Sequence, residues 1–382
     1  MKVLEVSRYK NNFADHQLPF VTEQGEAIRA LGHEVEYFLV KGNYIKAVGA
    51  LKTKIREFKP DVVHAHFGLS AITAELQSLV PVVTTFHNGE TLIWHVNLMS
   101  SLMSLRAKHV IYVAQHIRDL SYFKARNYSI IPCGVPMEQM IITPKEEARK
   151  QLGWNPNKKY ILFGGAFDNL RKNYPLLREA VDLLELTKKE ESSVTCSNSQ
   201  STAPYSAHMQ ASGQTNDQLL ATYTDKSYLQ DSSEKNNSKN AQNDHADSKI
   251  VIIEMRGLSR AECVLRMNAC DLFALPSHSE GSPQALKEAM AVNCPCLATD
   301  IADVRELFGD ESGHWILRNP GKTHERWDAD EKSLDEMMEL LKEALAFEGR
   351  TNGRMRIEEL QLTNEQVAKR IVEIYEKILQ EK

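Results

Sequence analysis

The fold is decided by the stretch LFALPSHSEGSPQALKEAMA, residues 272–291. Leu272–Leu275 is an unbroken apolar run of the kind found in buried parallel strands, and Pro276 ends it. After a short loop, Ser282 is a favourable N-cap and Pro283 a favourable first helical residue, so a helix is expected over 283–291. The free amides and the dipole at such a helix start attract an anion. The stretch therefore predicts a strand, a loop and a helix of an α/β domain, with an anion site at the loop.

Two carboxylates accompany this helix start. Glu280 lies just before the helix and Glu288 lies within it, so one side chain can reach a ligand in front of the helix while the other lines its side. Carboxylate oxygens accept hydrogen bonds from the vicinal hydroxyls of sugars and ribose. From these residues alone, a loop charge and a solvated helix face remain an equal alternative.

Strand and helix patterns alternate over most of the chain, which indicates parallel sheets with crossover helices. Strands are predicted at 3–6, 34–39, 61–66, 80–86, 109–113, 128–132, 160–164, 250–255, 272–275 and 295–298. Helices are predicted at 20–31, 44–58, 71–78, 174–188, 260–269, 283–291 and 364–381. Residues 145–155 break into charged and loop residues and are interpreted as a linker.

The predicted units are therefore 1–150 and 151–355, followed by a C-terminal helical segment, 356–382. Residues 197–248 are rich in Ser, Asn, Gln, Asp and Thr. Such a composition buries too little apolar surface to offset chain entropy, so a disordered surface insertion is expected there. A strand stub is expected just before it, at 194–196.

Composition limits the classes of function. A chain of 382 residues favours two domains, and a net charge of −5 argues against a nucleic-acid partner. Residues 1–150 hold 18 Lys and Arg against 14 Asp and Glu, so the positive charge lies in the first half. The six cysteines lack disulfide-like spacing, and Glu5 and Arg8 interrupt the N-terminal apolar run. We therefore expect a cytoplasmic protein with reduced thiols, soluble or peripheral to a membrane.

A second candidate element is the run FGGAFDNLRKN, residues 163–173. It predicts a strand, a tight loop that glycines such as Gly165 permit, and two cations, Arg171 and Lys172, at a helix start. Glycine lets the backbone approach a ligand closely, and adjacent cations neutralise a diphosphate. Surface cations at a helix start are the alternative.

The third candidate element is the end of the predicted strand 80–86, which runs directly into His87, Asn88 and Glu90. Ligands of open α/β sheets bind beyond the carboxyl ends of the strands, so His87 is a candidate site residue. His64 and His66 end the preceding strand. A structural role is favoured for His64, while both roles remain open for His66.

These three elements together resemble glycosyltransferase family 4, the retaining GT-B glycosyltransferases known as group 1. The resemblance rests on PSHSEG and EAMA in 276–291, followed by NCPCLATD at 293–300, and on TTFHNGE at 84–90 and IIPCGVP at 130–136. It covers nearly the whole chain except 197–248. This sequence departs from the family pattern at Ala166, Asn173, Asn88 and Glu90, and its first loop, 7–20, lacks a glycine-rich phosphate motif.

The resemblance implies a role for each candidate residue. Glu288 would bind the ribose hydroxyls and Glu280 the donor hexose, while Lys172 would neutralise the diphosphate. The remaining implied contacts are Arg171 as a second cation, His87 at the donor sugar, and a backbone near the phosphates and sugar at Gly165, Gly281, Ser282 and Pro283. The final helix would return to the first domain.

The fold implied by this resemblance is α/β of the GT-B type, with two Rossmann-like domains facing each other across a deep cleft. The implied activity is a retaining transfer of a hexose-type sugar from a nucleotide diphosphate sugar to a glycan or lipid-linked acceptor. Bacterial surface polysaccharide or lipopolysaccharide synthesis is the implied setting, and neither a metal nor another cofactor is required.

Two alternatives remain open: a catalytically silent sugar-nucleotide-binding protein and a nucleotide-sugar epimerase on the same fold. A dehydrogenase is disfavoured because residues 7–12, SRYKNN, lack the G-x-G-x-x-G fingerprint. The predicted helix 44–58 places several lysines beside apolar residues. Two interpretations of this helix remain open. It contacts the anionic inner surface of a membrane peripherally, or it packs against the protein on one side and faces water on the other.

Overall fold

The computed structural model describes residues 1–11, 15–194, 249–319 and 331–381. The predicted insertion at 197–248 lies outside these residues. The described residues form two parallel sheets, each with helices on its faces, so the two predicted α/β domains are confirmed. No helix in these ranges combines the length and the apolar character needed to cross a bilayer.

The first domain contains a six-stranded sheet in the order β2-β1-β3-β4-β5-β6. Its strands are β1 Lys2–Arg8, β2 Glu34–Val40, β3 Val62–His66, β4 Val82–Phe86, β5 His109–Tyr112 and β6 Tyr128–Ile130. Its helices are α1 Pro19–Ala30, α2 Ala47–Phe58, α3 Gly68–Glu75, α4 Trp94–Ser104 and α5 Gln115–Leu120. The central strands β3 and β4 are buried along their whole length. Because both of their faces are covered, their sequences do not alternate between apolar and exposed polar residues.

The second domain contains a five-stranded sheet in the order β11-β10-β9-β7-β8. Its strands are β7 Lys159–Phe163, β8 Ile250–Glu254, β9 Leu272–Leu275, β10 Cys296–Thr299 and β11 His314–Leu317. The remaining helices are α6 Lys145–Leu152, α7 Tyr174–Val194, α8 Arg260–Ala269, α9 Gln284–Ala291, α10 Val304–Phe308, α11 Glu331–Ala346, α12 Gly353–Glu359 and α13 Asn364–Gln380.

The predicted linker 145–155 is wrong in part, because α6 occupies most of it. Lys145 and Arg149 of this helix bond to Asp271 at 2.6 Å each, which fixes α6 to the second domain. The boundary placed at residue 150 thus falls inside a helix. The strand stub expected at 194–196 is also wrong at its first residue, since Val194 ends α7.

The C-terminal helix α13 packs against the first domain. Its residues Val367, Ile371 and Tyr375 are buried in one cluster with Val3 and Ile28. A capping box formed by Thr363 and Gln366 begins this helix.

The chain passes between the domains twice, and the two passages lie side by side. The amide of Val135 donates to the carbonyl of Leu362 at 2.8 Å, and the amide of Asn364 donates to Val135 at 2.9 Å. A Cβ on the neighbouring Gly134 would lie 2.8 Å from the Cα of Asn364, so only glycine fits there. These contacts place the two crossings together beside the cleft.

Candidate functional site

A cavity of about 1090 Å³ lies between the two domains, beyond the carboxyl ends of their strands. The first domain contributes Phe20, Phe67 and His87 to its wall, and the second contributes Lys172 and Glu280. Seven of the nine site residues expected from the sequence line it: His87, Arg171, Lys172, Glu280, Gly281, Ser282 and Pro283. Gly165 and Glu288 lie outside this lining.

Glu280 forms the centre of a charged cluster on the cavity wall. Lys172 donates to it at 2.7 Å, and a guanidinium nitrogen of Arg171 lies 3.6 Å from its other oxygen. Burial alone would raise the pKa of Glu280, but Lys172 and Arg171 hold this pKa below its ordinary value. Glu280 is therefore an ionised carboxylate between two cations.

A single helical turn at Leu170–Lys172 presents the two cations. Asn173 ends it in the left-handed conformation, with φ of 57°, which asparagine adopts more readily than most residues. The amide of His278 donates to the carbonyl of Arg171 at 2.9 Å, so the loop that carries Glu280 is tied to this turn. Gly165 backs the same turn, because a Cβ there would lie 2.7 Å from Cγ of Lys172.

The start of α9 differs from its prediction. Pro283 is the N-cap and Gln284 the first helical residue, so the N-cap expected at Ser282 is wrong. The Ser282 hydroxyl instead donates to the Asp303 carboxylate at 2.6 Å. The predicted proline-first helix start is therefore displaced by one residue, and Ser282 fixes the loop by a contact with the segment after β10.

Gly281 is the place where the loops of the two domains touch. A Cβ there would lie 2.5 Å from the carbonyl oxygen of His87 and 3.0 Å from Cβ of Asn88. Asn88 also donates to the hydroxyl of Ser279 at 3.5 Å. The loop after β4 and the loop before α9 thus meet at the cavity.

Glu288 is buried on α9, and it pairs with Arg260 at the start of α8 at 2.5 Å. The same guanidinium also bonds to Glu23 of α1, in the first domain. Burial raises the pKa of both carboxylic acids above their ordinary values. Arg260 therefore joins the domains through a carboxylate on each side.

His87 directly follows β4, and its ring contacts other residues of the first domain. Its Nε2 lies 3.2 Å from Nδ1 of His66, and its Nδ1 lies 3.6 Å from the sulfur of Cys133. Burial lowers the pKa of His87 well below the ordinary value, so the imidazole is neutral. Nε2 of His66 lies 2.7 Å from a carboxylate oxygen of Glu5. Because that oxygen accepts, Nε2 of His66 carries a proton.

His64 has a structural environment. Its ring nitrogens lie 2.5 Å from the Tyr375 hydroxyl and 2.7 Å from the Thr85 hydroxyl, and burial lowers its pKa to about 3. In the described part of the chain, only Glu5, His64 and His66 bring three potential metal ligands within 4.8 Å of one another. These atoms are already bonded to one another and to neighbouring hydroxyls, behind His87 and away from the cavity.

Two acidic residues support the site without lining the cavity. Glu90 accepts from the amides of Gly68 and His87 at 2.9 and 3.2 Å, and burial raises its pKa to about 7. Glu5 lies at the centre of β1 and holds His66. No sequence motif includes Glu5, although a charged residue inside an apolar strand is itself a signal of a buried polar contact.

Comparison with known proteins identifies similar chains. The family model described as "Glycosyl transferases group 1" matches residues 144–343, and that described as "Glycosyltransferase Family 4" matches residues 22–139. A curated relative, the putative teichuronic acid biosynthesis glycosyltransferase TuaC of Bacillus subtilis (strain 168), is 26% identical over 289 residues. The alignment covers 71% of this chain and 61% of the relative.

Solved structures show the same fold over nearly the whole chain. Sucrose-phosphate synthase from Thermosynechococcus elongatus matches with a TM-score of 0.66 and 14% identity, covering 100% of both chains. Anabaena Alr3699/HepE in complex with UDP-glucose matches with a TM-score of 0.61 and 14% identity, covering 99% of this chain and 100% of that one. These likenesses confirm the predicted GT-B fold.

Proposed function

Because this chain belongs to the group 1 glycosyl transferases, we propose that its cleft is the active site of a retaining glycosyltransferase. The enzyme moves a hexose-type sugar from a nucleotide diphosphate sugar to a glycan or lipid-linked acceptor. The observation that carries the proposal is the ionised Glu280 beside Lys172 and Arg171 on the cavity wall.

Each side of the donor has a complementary group in this cluster. Lys172 and Arg171 supply positive charge for the diphosphate, while Glu280 supplies acceptor oxygens for hexose hydroxyls. The backbone at 281–283 approaches the phosphates at the start of α9, where the helix dipole also favours negative charge. Within this proposal, His87 contacts the donor sugar from the first domain and Gly165 leaves room for the Lys172 side chain.

We assign the ribose hydroxyls to Glu288, which lies in α9, whereas Glu280 lies in the loop before this helix. Oε1 of the Glu288 carboxylate accepts from Arg260, so the guanidinium and the ribose bind the same carboxylate. The burial of Glu288 supports the assignment, because a buried acceptor binds a hydroxyl more strongly than a solvated one.

The chemistry follows from the charge arrangement. Transfer on one face of the donor places the departing diphosphate beside the acceptor hydroxyl, where it takes the acceptor proton. The protein then has to position both substrates and stabilise the developing negative charge, which Lys172 and Arg171 do. A metal is not required for this division of roles.

Two relatives guide the choice of substrates. Alr3699/HepE was solved with UDP-glucose, which supports UDP-hexoses as the first donors to test. The relative TuaC is described for teichuronic acid biosynthesis, which supports a bacterial surface polysaccharide as the setting.

The proposal is tested by UDP release from UDP-hexoses, with bacterial membranes and short glycans as acceptor sources. Glu280→Gln keeps the side-chain shape and removes the charge between the cations. We expect UDP release to fall about 100-fold, the scale of losing one electrostatic contact in an active site. UDP itself should still raise the melting temperature of the variant, because Lys172 and Arg171 remain.

The matched control is Glu348→Gln, a substitution at an exposed glutamate of the second domain, which should release UDP at the wild-type rate. Wild-type activity in Glu280→Gln would refute the role of Glu280. Stabilisation of the wild type by UDP without any UDP release would favour a silent binding protein. Inverted configuration in the product would exclude the retaining route.

A further inference from the structure

Helix α4 buries its polar side and exposes its apolar side. Asn97, Ser100, Ser101 and Ser104, spaced along one helical face, are buried. The opposite face presents large apolar side chains to solvent: Trp94, Leu98, Met99, Leu102 and Leu105. Trp94 is 67% exposed and Leu105 is 51% exposed. A helix at the surface of a globular domain normally buries its apolar side, so this face requires an explanation.

Close packing explains why the small residues point inward. Ser100 lies against Gly68 of α3, where a Cβ on the glycine would be 2.1 Å from Cβ of Ser100. Ser101 and Ser104 donate to carbonyls of their own helix at 2.6 and 2.7 Å, so their hydroxyls are satisfied inside the protein. The helix is therefore held by its small polar side, and its apolar side remains uncovered.

The apolar surface continues onto the segment after α5. The side chain of Asn97 donates to the carbonyl of Leu120 at 2.9 Å and accepts from the amide of Tyr122 at 3.3 Å. These bonds hold Leu120, Tyr122 and Phe123 beside α4, and all three are exposed. We call α4 together with residues 120–123 the apolar face. Residues 92–123 hold nine of the 17 large hydrophobic side chains exposed in the described ranges.

The apolar face is flanked by positive charge. Residues 91–128 contain five Lys and Arg and a single acid, Asp119, so this stretch carries a net charge of +4. Arg106, Lys108, Lys124 and Arg126 are exposed and directly precede β5 and β6, near the end of α4 that is farther from the cleft. Residues 1–150 hold 18 cations and 14 acids, a net charge that is also +4. Residues 91–128 therefore account for the whole positive excess of the first half.

The apolar face lies next to the rim of the cleft. Leu92, two residues before α4, lines the cavity and is 41% exposed. Helix α2 is the membrane candidate from the sequence, but its apolar side is covered. Its apolar residues Leu51, Ile55 and Phe58 are buried against the first sheet, and Lys54 is paired with Glu36. Of these two described surfaces, the apolar face is the one that combines several exposed hydrophobic side chains with a position next to the cleft, and its cations lie at the far end of α4.

We propose that the apolar face docks the protein on an anionic lipid bilayer, with Trp94 and the leucines of α4 in the interface and the cations at the headgroups. Aromatic and aliphatic side chains beside lysine and arginine are the combination that binds such surfaces. A second copy of this chain is the less favourable occupant, because two such surfaces would bring two charges of +4 together. Docking leaves the cleft mouth next to the membrane.

The test is co-sedimentation of the full chain with vesicles of phosphatidylglycerol and phosphatidylcholine, compared with vesicles of phosphatidylcholine alone. We expect binding to the anionic vesicles only, weakening as salt is added. Replacing Trp94, Leu98 and Leu102 together by glutamine should lower binding about tenfold or more. Replacing Arg106 and Lys124 by glutamine should lower it about fivefold per cation.

The matched control removes three exposed hydrophobic residues elsewhere, by the substitutions Ile45→Gln, Ile141→Gln and Met355→Gln, and should bind like the wild type. A circular dichroism spectrum and a melting temperature like those of the wild type in every variant show that the fold is intact. Glu280→Gln should bind vesicles like the wild type, so a failure of the docking proposal can be distinguished from a failure of the proposed activity. Absence of binding to anionic vesicles at low salt overturns the proposal, as does equal loss in the control. A dimer that the α4 triple variant abolishes, without vesicle binding, assigns the face to self-association instead.

Discussion

Gly281 is the residue at which the absence of a side chain lets the two domains meet. Alanine there would place a methyl group 2.5 Å from the carbonyl of His87, which is backbone and has little freedom to move. We expect Gly281→Ala to separate the loop of Glu280 from the loop of His87. A displacement of about 1 Å costs roughly 100-fold in turnover, so UDP release should fall on that scale. The melting temperature should change little, because the contact is local.

Gly89→Ala is the matched control for this prediction. Gly89 lines the same cavity, but a Cβ there meets nothing within 4 Å. Its UDP release should stay near that of the wild type. Equal activity in the two alanine variants would mean that the contact at Gly281 has no part in assembling the site.

The chain of polar contacts behind His87 shows where single-sequence reasoning reaches its limit. His66 ends β3 and His87 directly follows β4. These positions at the carboxyl ends of strands make them candidates, and such positions can be predicted from the local sequence pattern. Their connection to Glu5 depends on the strand order, which places β1 beside β3 and β3 beside β4. No spacing along the chain encodes a contact between residues 5 and 66.

Among the elements, buried strands were the most predictable. β9 was predicted with the bounds it has, because a strand covered on both faces is uniformly apolar. Helices α4 and α6 were missed for opposite reasons. α6 is short and charged, and it is held by ion pairs with Asp271 rather than by an apolar stripe. α4 turns its apolar stripe outward, so its burial could not be deduced from its pattern.

The start of α13 is an element with a measurable contribution to stability. Thr363 accepts from the amide of Gln366 at 3.2 Å, and the Gln366 side chain accepts in return from the Thr363 amide. Thr363→Ala removes one half of this capping box and should lower the free energy of unfolding by about 1 kcal/mol. Urea denaturation measures it. Thr363→Ser keeps the hydroxyl and should retain most of the stability. An equal loss of stability in both variants would contradict the prediction, because it would assign the effect to the methyl group of Thr363 rather than to its hydroxyl.

At the scale of the whole molecule, three contacts among the described residues show how the domains are joined. The paired crossings at Val135 and Leu362 join them covalently and by hydrogen bonds. The meeting of Gly281 with His87 joins them at the cavity. Arg260 joins them between Glu23 and Glu288. Among these three, the last consists of ion pairs, so it is the most sensitive to charge substitution and to the donor proposed to use Glu288.

Arg260→Gln tests this electrostatic link. Removing the guanidinium leaves two largely buried carboxylates facing each other across the domain boundary, so the domains should separate and the radius of gyration from small-angle scattering should rise. The free energy of unfolding should fall by about 1–3 kcal/mol, the cost of leaving buried polar groups without partners. This loss should shrink at acid pH, because both carboxyl groups have raised pKa values when folded and protonating either one removes the repulsion.

The second variant, Glu23→Gln with Arg260→Gln, separates repulsion from simple loss of a contact. It removes one of the two opposed charges, so it should recover part of the stability and of the compact shape. Arg305→Gln is the control, since its pair with Asp300 is exposed and solvent screens such surface pairs. If the double variant is no more stable than Arg260→Gln, repulsion between Glu23 and Glu288 is not what Arg260 offsets, and the link between the domains is of another kind.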